Sequence, residues 1–298
     1  MFCLLLVVAL LLGIVYIRSF HKSVDVAKIL NTLPREDRKS LEWLFRGFSG
    51  SSYVLFGNKP MALRCVMDIE PYSPQISDTC EFMESITLLH LSCLVESKGL
   101  GAWKKYKHLF PSSNFIVLEN IEPDPTTIYL INKRVFLQKV EENIDYFKDV
   151  LGTNTTPQKV LDDCIKSDDL IKDALKGHDG LLGILLGFGR HNAQLYWRRE
   201  QIGSLDGLLT KKSLIPSPGF STIDEERNHI NSRLGSFNDR EIDDFNPHLL
   251  GLPGFVADPK HPETQQLKTD YLKQYKKIVK AYKNGDYLEV TLKQFCNS

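Results

Sequence analysis

The sequence predicts an α+β fold, mostly helical, in which a small antiparallel sheet of about four strands is packed with helices. Three observations predict it. Apolar residues recur at helical spacing, from Leu41-Leu44-Phe45-Phe48 to Leu267-Tyr271-Tyr275-Ile278. Short runs of aliphatic and aromatic residues come in two pairs, each pair joined across a turn that contains proline. Composition, at 42% hydrophobic and 25% charged over 298 residues, belongs to a folded chain and excludes wholesale disorder.

Phe2 to Ile17 is sixteen residues without a charge, followed by Arg18, Lys22, Lys28, Arg35, Arg38 and Lys39. As a helix it falls slightly short of a hydrocarbon core of about 30 Å, and Met1, Ser19 and Phe20 can extend it. No basic residue precedes the run and no small-x-small cleavage site ends it, so residues 1–20 are expected to be an uncleaved transmembrane anchor. A signal peptide is the alternative, which would make the mature protein secreted or periplasmic. With the basic residues after the run, a single-pass topology leaves the body on the cytoplasmic side. The six cysteines (3, 65, 80, 93, 164, 296) show no C-x-x-C or zinc-type spacing and read as reduced, buried thiols.

Residues 21–34 read as a short helical linker, and 35–298 as a single globular domain. A helix from Arg35 ends at Gly47 and Gly50. Gly47-Phe48-Ser49-Gly50-Ser51 approaches the nucleophile elbow G-x-S-x-G, but the fifth residue is wrong and the order is helix then strand. Tyr53–Phe56 and Ala62–Met67 are expected as one strand pair, 115–118 and 128–131 as the other. Asp78 can cap a helix running to Gly99, and a second carries Trp103 and Tyr106 among lysines. Residues 136–150 form an amphipathic helix, and Pro157 to Leu175 hold one or two more. Pro262-Glu263 opens a C-terminal helical hairpin, Asn284-Gly285 breaks it, and Asp286 caps the last helix. Six lysines (268, 273, 276, 277, 280, 283) line the first of these helices. A solvated face is the ordinary reading, and anionic lipid beside the anchor is the alternative.

The most apolar internal stretch, Gly177 to Ala193, carries two polar clusters: His178-Asp179 and Arg190-His191-Asn192. Burying such groups costs a few kcal/mol each unless they find partners, so they satisfy one another or face a ligand. A phosphate-cradling turn at Gly187-Phe188-Gly189 lacks the third glycine of the dinucleotide fingerprint, since Asn192 stands there. A single buried helix over 177–201 fits better, with Gly183 and Gly187 on one face allowing close approach of another helix. From Gly203 to 261 the chain reads as irregular; six of the fourteen prolines lie between Pro216 and Pro262. There, Glu226-x-x-His229 matches half of a di-iron motif without its second copy and is expected to be a surface pair. No metal or other cofactor is implied.

Three stretches together resemble a family of uncharacterised, paralogous proteins of chlamydia-like intracellular bacteria. They are Tyr53-Val54-Leu55-Phe56-Gly57-Asn58-Lys59-Pro60, Ile128-Tyr129-Leu130-Ile131-Asn132-Lys133, and Leu181 to Asn192 with its Gly-Phe-Gly-Arg-His-Asn core. The resemblance implies one domain over most of the body and no assigned activity.

Lysine plus arginine equals aspartate plus glutamate at 37 each, which gives no global attraction for nucleic acid. The expectation is therefore a membrane-anchored interaction or scaffold protein of the bacterial envelope or host interface, with a protein partner. The alternative is a hydrolase or transferase acting on an anionic substrate. Arg190 would bind the anion, His178 or His191 serve as acid/base, Asp179 orient a histidine, and Asn192 complete the cluster.

Overall fold

The computed structural model describes residues 24–48, 50–66, 97–120, 126–204, 214–237, 252–283 and 285–297. The anchor expected at residues 2–17 and most of the helix expected from Asp78 lie outside these residues. Among the described residues no helix is long and apolar enough to cross a membrane.

The chain enters through α1 (Val26–Thr32), capped by Asp25, whose side chain accepts from Lys28 N. Val26 and Leu30 are buried in the core, so the segment expected as a linker packs as part of the body. Helix α2 (Arg35–Gly47) buries Leu41, Leu44 and Phe45.

Tyr53–Phe56 is not a strand but part of a short helix, α3 (Ser51–Phe56). Gly50, at φ +81°, turns the chain into it, and Tyr53, Val54 and Leu55 are all buried. An unbroken apolar run carries no period, and this one is enclosed on several sides, so burial could not separate helix from strand.

Strand β1 (Met61–Val66) therefore has no hairpin partner before it. After α4 (97–106) come β2 (Phe115–Asn120) and β3 (Thr126–Asn132). The sheet is antiparallel with order β1-β3-β2, three strands rather than four. Met61 pairs with Ile131 on one side of β3, and Phe115 with Asn132 on the other.

Central β3 organises the interior. Ile128 and Leu130 face a cluster formed with α1–α4 and the C-terminal helices, while Tyr129 and Ile131 face a second cluster of helices from 133 to 193. Period-two alternation places successive residues on opposite faces, so the unbroken apolar run 128–131 must be covered on both. Asn132 ends the strand and starts α5 (Lys133–Glu142): its Oδ1 accepts from Val135 N at 3.2 Å, and its Nδ2 donates to Val54 O at 3.0 Å.

The helix expected over 136–150 is broken at Asn143 into α5 and α6 (Ile144–Leu151). Helix α7 (Pro157–Lys166) starts at the Thr156 cap, and one wide turn follows at Leu170–Ala174. The single helix expected over 177–201 is two: α8 (Asp179–Leu185) and α9 (Arg190–Ser204).

The irregular 203–261 segment also holds structure, namely α10 (Ile223–Arg233) and a two-residue strand pair, β4 (Gly235–Ser236) with β5 (Val256–Ala257). The hairpin expected at the C-terminus is present as α11 (Pro262–Tyr282) and α12 (Tyr287–Cys296), the second capped by Asp286, which accepts from Glu289 N. Of the described cysteines, all free, Cys164 is buried but Cys65 is exposed on β1, where it was expected inside.

Candidate functional site

The break between α8 and α9 builds the site. Phe188 N donates to Gly183 O at 3.0 Å and Gly187 N to Ile184 O at 3.0 Å, the paired bonds of a Schellman stop. Gly187 lies at φ +78°, a conformation open to glycine at little cost, and its carbonyl accepts from the buried Tyr271 hydroxyl at 2.9 Å. Gly183 sits against Ala193 of α9, so the two glycines do not share a helical face as the sequence suggested. Each still marks a close approach.

Gly189 offers α9 no capping side chain, and Glu263 in the first turn of α11 supplies the missing acceptor. Its two carboxylate oxygens accept from Arg190 N at 2.9 Å and His191 N at 2.8 Å. This is a tertiary cap, with negative charge at a helix N-terminus where the macrodipole favours it.

The five residues singled out from sequence do not converge. His178 caps α8 through Nδ1, which accepts from Leu181 N at 3.4 Å, and its ring lies between Tyr146 and Trp197. Burial lowers its pKa, and burial followed by repulsion from Glu200 raises that of its neighbour Asp179. Arg190 turns outward, donating to Asp145 Oδ1 at 2.9 Å and lying over the Tyr146 ring.

His191 and Asn192 turn the other way. His191 stacks on His261 with ring centroids 3.5 Å apart, and its Nε2 lies 3.4 Å from Asp258 Oδ2. Burial first, then His261, lowers the His191 pKa, so the ring is neutral at neutral pH. Asn192 is 1% exposed, and both ends of its amide are hydrogen-bonded. Its Oδ1 accepts from Asp258 N at 3.0 Å and from the Thr264 hydroxyl at 3.1 Å, while Nδ2 donates to Phe188 O at 2.8 Å. Burial, the largest single influence, raises the Asp258 pKa, but bonds from Arg233, Lys260 N and His191 together outweigh it and hold the carboxyl below its usual range. The group works as a clasp joining α9, β5 and the start of α11.

A cleft of about 310 Å³ opens on the far side of the same turn, between α5, α9 and α11. Lys139, Glu142, Arg190, Glu263, Asp270 and Gln274 line it, with Gly187 and Tyr271. Of the five residues read from sequence, only Arg190 reaches it. Lys139 is paired with Glu142 at 2.5 Å, and Gln274 Oε1 accepts from Asn58 N at 2.9 Å.

Two charged groups are buried with no sign of it in the sequence. Lys59 is 3% exposed, donates to Leu186 O and lies 5.3 Å from the centre of the Phe188 ring. Burial alone pulls its pKa down to about 7. Its place after Asn58 was visible, but an Asn-Lys step says nothing about burial. Glu226, expected at the surface, is 2% exposed and holds Arg198 through bonds of 2.8 and 2.7 Å, with Ser217 Oγ at 2.6 Å. His229 lies against Phe220 instead, so the two residues of the di-iron half-motif do not share a site. Among the described residues no group of three or more histidines, cysteines or carboxylates is placed to hold a metal ion.

No protein-family model, curated protein or solved structure matches the chain.

Proposed function

We propose that this protein is a membrane-tethered interaction protein, anchored through residues 2–17 with its body on the cytoplasmic side, at the bacterial envelope or host interface. The observation that carries the reading is where the polar groups of 178–192 direct their hydrogen bonds. Asn192 and His191 both bind Asp258, Glu263 binds the backbone of α9, and His178 caps its own helix. Buried polar groups satisfied in this way fix a structure.

Catalysis on an anionic substrate fits less well. The histidines sit away from the cleft, Arg190 is already paired with Asp145, and Glu142, Glu263 and Asp270 on the cleft wall oppose an incoming anion. Carboxylates alternating with Lys139 and Arg190 suit a polar segment of a protein partner better.

The test is fractionation of the full-length chain through an alkaline carbonate wash. Retention in the membrane pellet is the expected result. Release into the supernatant, or a mature N-terminus beyond residue 17 by mass spectrometry, overturns the tethering.

A further inference from the structure

The strongest unexplained surface lies at the other end of α11. From Leu272 to Lys283 the helix carries five lysines and no carboxylate. Lys273 has Asp270 at 4.0 Å, whereas exposed Lys276, Lys277, Lys280 and Lys283 have no ion pair among the described residues. Tyr275, Ile278 and Tyr282 hold the opposite face of the helix in the core, so the lysines have a fixed direction.

A second basic feature lies on α2, linked to the end of α11 through a shared groove at Asp286. On α2, Arg35, Lys39 and Trp43 are all exposed at i, i+4 and i+8, which makes one stripe along the helix. Trp43 is 57% exposed, whereas Trp103 is buried and Trp197 half-buried. Indole is an amphipathic ring enriched where hydrocarbon meets water, and basic side chains favour the same depth. Arg35, Arg38 and Lys39 line a groove of about 400 Å³ with Asp286 and Leu288, and Asp286 follows Lys283 by three residues. Nearby carboxylates are engaged: Glu42 by Arg46 at 2.6 Å, Asp37 by Tyr106 and Lys105, Glu36 by Lys39 at 3.5 Å, and Asp286 by the backbone N–H of Glu289, which it caps at 2.9 Å.

The path of the chain says what covers this surface. Helix α1 is fixed in the core by Val26 and Leu30, and eight residues, Arg18 to Asp25, separate it from the apolar run. Fully extended, they span about 29 Å at most. A body tethered so closely cannot leave the lipid headgroups far behind, and the basic stripe begins on the very next helix.

We propose that the exposed lysines of α11 and the Arg35-Lys39-Trp43 stripe of α2 form a docking face for an anionic lipid surface. The lysines supply attraction to the headgroups, and Trp43 enters the interfacial layer. The inference rests on the tethered reading above, but its readout is separate from that of the anchor.

Trp43 provides that readout. The full-length chain is reconstituted into vesicles of phosphatidylcholine alone, or with phosphatidylserine added, each made with brominated acyl chains that quench tryptophan. The expected result is a blue-shifted, quenched emission only when phosphatidylserine is present. It should be lost in Trp43→Phe and reversed near 1 M salt, where the screening length is about 3 Å. Each basic residue near an anionic surface strengthens binding roughly fivefold. Joint substitution of Lys276, Lys277, Lys280 and Lys283 by Gln should therefore raise the phosphatidylserine needed for half-maximal quenching by more than about tenfold, with an unchanged circular dichroism spectrum. Identical Trp43 emission in the two vesicles, in a chain that resists carbonate, overturns the docking face and leaves the anchor standing. A chain released by carbonate that still shows the phosphatidylserine-dependent signal loses the anchor and keeps the face. A salt-sensitive response to single-stranded RNA with none to vesicles overturns the face in favour of nucleic acid.

Discussion

Lys59 sets up the sharpest test of the interior. Its amine is enclosed beside Phe188 with the Leu186 carbonyl as acceptor, and burial brings its pKa down to about 7. An unfolded lysine keeps its proton up to about pH 10.4. Between those values the unfolded chain binds a proton that the folded chain does not, so stability climbs by about 1.4 kcal/mol per pH unit. Lowering the pH from 10.4 toward 7 thus removes roughly 4–5 kcal/mol, a large part of the ~5–15 kcal/mol typical of a domain. Lys59→Met keeps the length and loses the titration, at a cost of about 1 kcal/mol for the bond to Leu186 O. The variant should be more stable than the parent by roughly 2–4 kcal/mol near pH 7.5, with the advantage shrinking as the pH approaches 9.5. Urea unfolding of both proteins across that range measures it. The range stops short of pH 10 because Tyr53, Tyr271 and Tyr282 have pKa values raised by burial and withdraw stability once the unfolded tyrosines ionise. Parallel stability curves for the two proteins, or a less stable Met variant at pH 7.5, would refute the reasoning by showing that the fold accommodates the charge.

Asn192→Ala strands Asp258 N and Phe188 O in a buried site and should cost about 2–4 kcal/mol in urea unfolding. Arg190→Ala removes a solvent-exposed pair with Asp145 and a contact with the Tyr146 ring and should cost less than about 1 kcal/mol in the same assay. The Glu226 pKa is held at about 2, chiefly by Arg198, so its contribution is complete above the unfolded value near pH 4.3 and fades as the pH falls through 2. Glu226→Ala should abolish that part of the acid-unfolding curve and take both carboxylate bonds from a half-buried Arg198 that keeps its bond to Ile215 O, a loss of about 1.5–3 kcal/mol at pH 7. Gly187→Ala forces a Cβ into a left-handed position against the Tyr271 hydroxyl and should lower stability by about 2 kcal/mol in thermal or urea unfolding.

Elements with their own end signals were legible in the sequence. The C-terminal hairpin carries a proline start, an Asn-Gly break and an aspartate cap, and each acts on backbone groups within a few residues. The strands at 115–120 and 126–132 were readable from composition for the same reason. Where the apolar run was continuous, the sequence misled. Tyr53–Phe56 could be helix or strand until its neighbours decided, and Gly187 looked like a contact residue when it is also a stop. The stop had a local signal, a glycine after Leu185-Leu186, which the length of the apolar run outweighed.

By itself, the sequence determined the mostly helical α+β class, the caps, and the clustering of polar groups within an apolar stretch, because periodicity and capping depend on residues a few positions apart. Only the tertiary structure decided what those groups do. Asn192 is satisfied from residues 66 and 72 positions away, and α9 is capped from 73 positions away. Lys59 is buried by a turn 127 residues further on. Desolvation and hydrogen-bond satisfaction depend on what surrounds a group in space, and no spacing along the chain encodes which distant residue that will be.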